Sequence, residues 1–203
     1  QLQASGADVS LAALFAADQR IPAGPVHVRD LLRLYPYENS LVTLEMTGAE
    51  LKDALEQSAR YLAPYTFEDG RPLAEPGMPS WNFDMAMGVT YEVDLTRPSG
   101  DRIQHLVFKG QPLAPEQRLS VVVNGYRASG GGDFVMIRRA KRIGRPALSA
   151  PDAVLAYVKQ AGAIGAAFEP SWTLLPDYAP NPERPLIDRL VRLGVAPREE
   201  VMH

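Results

Sequence analysis

The chain has 203 residues, of which 46% are hydrophobic and 22% charged, with a formal net charge of −3. That length suits one domain-sized core and that composition is ordinary for a globular chain, while no apolar run approaches the roughly 20 residues needed to cross a bilayer. Acidic and basic residues are interspersed, leaving no basic footprint for polymeric DNA or RNA, and the lack of cysteine excludes disulfides, thiolate metal sites and cysteine nucleophiles together. Gln1 is not a natural start, so the chain reads as a processed or excised piece.

Residues 8–18 (DVSLAALFAAD) are apolar and Ala-rich, fitting a buried strand that runs into a loop or short helix. Pro22, Gly24 and Pro25 mark a turn. Leu31, Leu32 and Leu34 follow Asp30 and suggest one or two helical turns that Pro36 must end, because proline disfavours helix at the residue before it. Tyr35 to Asn39 then reads as a loop.

Residues 40–46 (SLVTLEM) alternate and are rich in branched side chains, as in a strand. Thr47 and Glu50 form a capping box in sequence, since each side chain can satisfy the other's orphan amide. Beyond them Leu51, Ala54, Leu55, Ser58, Ala59 and Leu62 share one face at helical spacing, which predicts a helix over 48–62. The proline-rich stretch 63–80 reads as an excursion loop.

Val89, Tyr91, Val93 and Leu95 alternate with polar residues in a half-buried strand over 89–95. Arg97 to Gly100 turns the chain into a second strand, 102–108, and Lys109 to Pro112 turns it again. Leu119 to Val123 is a run of branched residues without alternation, as expected of a strand, 118–123, covered on both faces. Pro151 opens a last helix to about Gly162. Beyond Trp172, the Pro-rich residues 177–203 read as an extended tail.

A hydrolytic metal site needs several converging His, Asp or Glu ligands, and His27, His105 and His203 are isolated in sequence. A serine hydrolase needs a histidine base beside a nucleophile on a sharp turn, and Gly-x-Ser-x-Gly does not occur. Asp84 and Asp133 remain as acid or base candidates. The run Gly130, Gly131 and Gly132 reads equally as a phosphate cradle or as a tight turn where a side chain would clash. Tyr37 and Tyr126, each beside an asparagine (Asn39 and Asn124), read either as packing residues or as faces for a nucleobase, which such rings stabilise by roughly 1–3 kcal/mol each.

Three blocks carry a family resemblance. LYPYENSLVTLEMTGAELKDALEQSA (34–59), WNFDMAMGVTYEVDLTRP (81–98) and VVVNGYRASGGGDF (121–134), followed by Trp172 in SWTLLP, resemble in order the C-terminal domain of 5'-nucleotidases and 2',3'-cyclic-nucleotide 2'-phosphodiesterase/3'-nucleotidases. The resemblance implies an α+β fold with mixed β-sheets and packed helices over residues 1–176. It also implies a parent with an N-terminal metallophosphoesterase domain, absent from this chain, that holds two divalent metal ions, while this domain needs no cofactor of its own.

Carried over from the family, Tyr37 and Tyr126 would sandwich the base and Asn39 would meet its edge. Arg127 counts with the substrate-binding residues, and Gly130, Gly131 and Gly132 would let backbone approach the sugar. Asp133 would meet the ribose hydroxyls, although the order Gly-Gly-Gly-Asp-Phe is displaced by one from the Gly-Gly-Asp-Gly-aromatic of 5'-nucleotidases.

Another departure lies at 13–18. The Asn-x-Gly-Gly-Ile-Arg motif of 5'-nucleotidases is missing, and the stretch is similar instead to the Ala-Ala-x-Phe of the cyclic-phosphodiesterase branch. The expectation is therefore a nucleotide-recognition domain of that branch, periplasmic or secreted, with a nucleotide or nucleoside and the parent's metal domain as partners and no activity alone. A 5'-nucleotidase or UDP-sugar hydrolase domain, a binding module without nucleotide affinity, and an esterase using Asp84 or Asp133 are the alternatives.

Overall fold

The computed structural model describes residues 1–13, 15, 21–64, 78–144, 148–165 and 170–176. The tail 177–203, with His203, and most of the excursion loop lie outside the described residues.

A short helix α1 (Leu2–Ser5) leads into β1 (Val9–Ala13). Helix α2 (Val28–Leu34) starts ahead of Asp30, because Asp30 occupies the third helical position and its carboxylate accepts the His27 amide at 2.9 Å. The helix ends before Pro36. Strand β2 (Leu41–Thr47) and helix α3 (Gly48–Ala59) meet at the expected capping box: the Glu50 amide donates to Thr47 Oγ1 at 3.2 Å and the Thr47 amide to the Glu50 carboxylate at 2.8 Å.

The face of α3 that the spacing selects is the buried one. The helix nonetheless stops at Ala59 rather than 62. Buried Arg102 donates to the Ala59 and Leu62 carbonyls at 3.0 and 2.6 Å, placing a cation on the carbonyl end of the helix and taking up an acceptor that a further turn would have used.

A single 3₁₀ turn, Ser80–Asn82, precedes β3 (Asp84–Met87), β4 (Val89–Asp94), β5 (Ile103–Phe108), β6 (Gln111–Pro112) and β7 (Arg118–Asn124). The chain continues through α4 (Gly125–Ala128), α5 (Val135–Arg139), β8 (Lys141–Ile143), α6 (Ala150–Ala161) and β9 (Trp172–Leu175). Among these, β3, β6, α4, α5, β8 and β9 are too short for periodicity to reveal.

Two mixed sheets result, in the orders β3-β1-β7-β2-β8 and β6-β5-β4-β9. Strand β7 lies at the centre of the first, parallel to β1 and antiparallel to β2. Val121, Val122 and Val123 are fully buried, which explains the run without alternation. In the second sheet β4 buries Val89, Tyr91 and Val93 on one face. Lys109 and Gly110, both at positive φ, make the two-residue turn from β5 to β6.

One hydrophobic cluster joins both sheets and α3, running through Val9, Leu44, Leu55, Phe83, Tyr91 and Trp172. Glu56 reaches across from α3, and its buried carboxylate accepts the Arg102 and Ile103 amides at 3.0 and 2.7 Å. A charged acceptor thus pairs two backbone donors where the second sheet begins β5. The architecture is the expected α+β arrangement of mixed sheets with packed helices.

Replacing Glu56 by Ala strands both amides and should lower the unfolding free energy by about 2–3 kcal/mol, measured by urea denaturation. A second expectation concerns pH. The Ser120 amide and hydroxyl, at 3.0 and 2.7 Å, hold the Asp8 carboxyl below its ordinary 3.8. A carboxyl lowered on folding contributes stability that is fully present above its unfolded value and is lost on acidification through its folded value. The stability difference between wild type and Asp8→Asn should therefore be constant above about pH 5 and shrink below about pH 4.

Candidate functional site

The antiparallel register of β2 on β7 pairs Leu41 with Asn124, so the start of one strand abuts the end of the other. Residues just before β2 and just after β7 therefore emerge at the same end of the sheet. Tyr37 and Asn39 come from the first group and Tyr126 from the second, with Asn124 the last residue of β7 itself. Together with Phe15, Glu38 and Trp81 they line one pocket of about 480 Å³.

Both tyrosines are about half exposed, 49% for Tyr37 and 46% for Tyr126. Tyr37 is braced edge-on by Phe15, at 5.4 Å between centroids, and by Tyr35 at 6.4 Å. Phe15 and Tyr35 brace each other at 5.0 Å. Burial pushes the Tyr35 phenol above its ordinary pKa, and its hydroxyl lies beside the Asn39 and Asn124 side chains without completing a hydrogen bond.

Tyr126 is held from behind by the glycine run. A Cβ on Gly131 would sit 2.3 Å from the Tyr126 ring, and one on Gly132, at φ +74°, would sit 2.3 Å from Asn82 Oδ1 and 2.5 Å from Arg127 Nη1. A Cβ on Gly130 would press on the Arg138 side chain at 3.0 Å. The protein's own atoms fill the space these glycines leave, and none of the three is among the residues lining the pocket. The tight-turn reading accounts for them.

Arg127 lies behind the pocket, only 2% exposed. Its Nε and Nη2 donate to the two carboxylate oxygens of Asp84 at 2.7 and 2.9 Å, its Nη2 also to the Trp81 carbonyl at 2.7 Å, and its Nη1 to the Gly131 carbonyl. The guanidinium stacks on Phe134 at 3.9 Å from the ring centroid. Burial pushes the Asp84 carboxyl above its usual range, opposed by the Arg127 charge. With both oxygens engaged by Arg127, Asp84 has a structural partner where an acid or base would need a substrate.

Asn124 caps α4, its Oδ1 accepting the Arg127 amide at 2.8 Å, which leaves the N–H end of its side chain to donate. Of the site residues expected from sequence, the pocket brings together Tyr37, Asn39 and Tyr126. Arg127, Gly130, Gly131 and Gly132 support its wall, and Asp133, exposed and at φ 64°, is not among the lining residues. Phe15, Glu38 and Trp81 are additions that no periodicity announces. His27 is engaged at the start of α2, and His105 Nδ1 lies 2.7 Å from Glu92. Among the described residues no group of three or more His, Cys, Asp or Glu is placed to hold a metal ion.

Residues 1–139 match the family model for the 5'-nucleotidase C-terminal domain. A trifunctional nucleotide phosphoesterase from Bacillus subtilis is 32% identical over 175 residues, covering 79% of this chain and 12% of that protein. A 2',3'-cyclic-nucleotide 2'-phosphodiesterase/3'-nucleotidase from Salmonella typhimurium is 30% identical over 179 residues, covering 78% of this chain and 27% of that protein. The crystal structure of a 5'-nucleotidase precursor from Thermus thermophilus superposes with a TM-score of 0.69 at 25% identity, over 87% of this chain and 33% of that one. The chain thus corresponds to a minor part of each relative's length.

Substituting Arg127 by Met leaves Asp84 buried and uncompensated, and should cost about 3–5 kcal/mol of stability in chemical denaturation. Gly131→Ala should instead leave stability closer to wild type and displace the Tyr126 ring, seen as a shift of that ring's NMR signals.

Proposed function

The chain belongs to the family of 5'-nucleotidase C-terminal domains, and from that premise we propose that residues 1–176 are the nucleotide-recognition domain of a bifunctional 2',3'-cyclic-nucleotide 2'-phosphodiesterase/3'-nucleotidase. In this reading Tyr37 and Tyr126 stack on the two faces of the base. The observation that carries it is that two half-exposed tyrosines, far apart in sequence, line one pocket together with Asn39 and Asn124. Stacked aromatic faces bind any base, and an amide supplies both a donor and an acceptor to its edge.

Charge favours the same division of labour. Among the described residues lining the pocket, the charged side chain is Glu38, and the nearby cation, Arg127, is committed to Asp84 and two carbonyls. Such a lining suits the uncharged nucleoside end of a nucleotide and would leave the phosphate directed outward. There a further N-terminal metallophosphoesterase domain would receive it, whose two divalent ions would supply the activated water and offset phosphoryl charge. This chain's own residues bind and orient, and orientation of a reacting group is itself a large part of the rate.

The cyclic-phosphodiesterase branch is favoured by the stretch around Phe15, by the Trp-Asn-Phe-Asp block and by the relatives that carry that name. The same kinship supports a periplasmic or secreted parent, with the Pro-rich residues 177–203 following the recognition domain.

Titration with adenosine or 3'-AMP, followed through the ring signals of Tyr37 and Tyr126, tests the proposal. Both rings should shift, Tyr37→Ala and Tyr126→Ala should each weaken binding by about 1–3 kcal/mol, and the chain alone should hydrolyse neither 3'-AMP nor a 2',3'-cyclic nucleotide. Unchanged spectra at millimolar ligand would overturn it.

A further inference from the structure

The pocket holds two aromatic rings more than a base sandwich requires: Phe15, which braces Tyr37 edge-on, and Trp81. Trp81 is 46% exposed and lines the same pocket as the Tyr37 and Tyr126 rings. The protein has an interior site for an indole: its other tryptophan, Trp172, is 2% exposed, stacked on Tyr91 and edge-on to Phe83. Large aromatic side chains that stay half in water beside a pocket are the kind that binding sites use.

The backbone beneath Trp81 is also fixed in place. It sits in the middle of the 3₁₀ turn closed by the Asn82 amide on the Pro79 carbonyl and the Phe83 amide on the Ser80 carbonyl, each at 3.0 Å. Arg127 Nη2 grips its carbonyl at 2.7 Å. The same guanidinium holds the Gly131 carbonyl behind Tyr126. Two walls of the pocket are therefore positioned by one buried ion, and the indole is presented from a preset backbone. Preset groups lose less entropy when a ligand arrives.

We infer that Trp81 is a third aromatic contact for the bound nucleoside and makes the pocket prefer purine over pyrimidine nucleosides. The inference rests on the nucleoside reading of the pocket. Two phenols already cover the faces of a single six-membered ring, so added aromatic surface acts mainly on the part of a base that extends beyond it. A bicyclic purine has that extra ring and a pyrimidine does not. Stacking grows with the ring area in contact.

The test is calorimetric titration of the 203-residue chain with adenosine and with uridine, for wild type, Trp81→Ala, Trp81→Phe and Tyr126→Ala. Trp81→Ala should weaken adenosine by about fivefold or more and uridine by no more than about twofold, so that the preference narrows, with Trp81→Phe between. Because the indole is half exposed and the Arg127 bond is to the carbonyl, the urea midpoint of Trp81→Ala should stay near wild type. Adenosine should quench tryptophan emission in wild type, and the quenching should vanish in Trp81→Phe, where Trp172 alone emits, while binding persists. An unchanged adenosine-to-uridine ratio in Trp81→Ala, with binding still lost in Tyr126→Ala, would overturn the role of Trp81 and leave the nucleoside pocket standing. Flat titrations of wild type with both nucleosides would overturn the two together.

Discussion

The buried pair of Arg127 and Asp84 is the constraint on which the rest of the site depends. Both side chains are almost fully enclosed, and taking two opposite charges out of water costs several kcal/mol before their attraction returns it. An apolar pair of similar volume would hold a core together at least as well. What an apolar pair lacks is direction. The planar guanidinium points fixed donors at the Asp84 carboxylate, at the carbonyl beneath Trp81 and at the Gly131 carbonyl behind Tyr126. It therefore locks β3, the turn before it and the loop after α4 into one frame.

That frame gives the neighbouring residues their forms. Gly131 and Gly132 are glycines because the Tyr126 ring, Asn82 and the guanidinium occupy the volume a Cβ would need. Asn124 ends β7 and caps α4 through the Arg127 amide, so the strand, the cap and the cation are consecutive parts of one device. This buried pair thus shapes the pocket from behind, while the lining itself is mostly aromatic and amide-bearing.

Long, strongly patterned elements were legible in the sequence. The Thr47 to Glu50 box and the α3 face needed only helical spacing, and the unalternating valines of β7 announced a central strand. That Tyr37, Asn39 and Tyr126 would come together was legible through family resemblance, whereas composition and periodicity left packing and binding readings open. The rest was hidden for identifiable reasons. Arg127 looks like a ligand-binding cation until its partner Asp84, remote in sequence, is seen to enclose it. Trp81 and Phe15 lie in segments too short for periodicity, and the C-terminal limit of α3 depends on Arg102, a tertiary partner that no local pattern contains. The glycine run was ambiguous because a tight turn and an anion cradle have the same composition.

The pairing of Leu41 with Asn124 has a broader implication. Tyr37 precedes β2 and Tyr126 follows β7, two hydrogen-bonded strands whose spacing, near 4.8 Å, is a property of the peptide backbone. The strand ends that lead into the pocket are thus gauged by main chain, which mutation barely touches, while Glu38 and Trp81 line it from outside those strands with side chains that mutation alters freely. Such a scaffold can vary the lining of its pocket without rebuilding the frame that carries it.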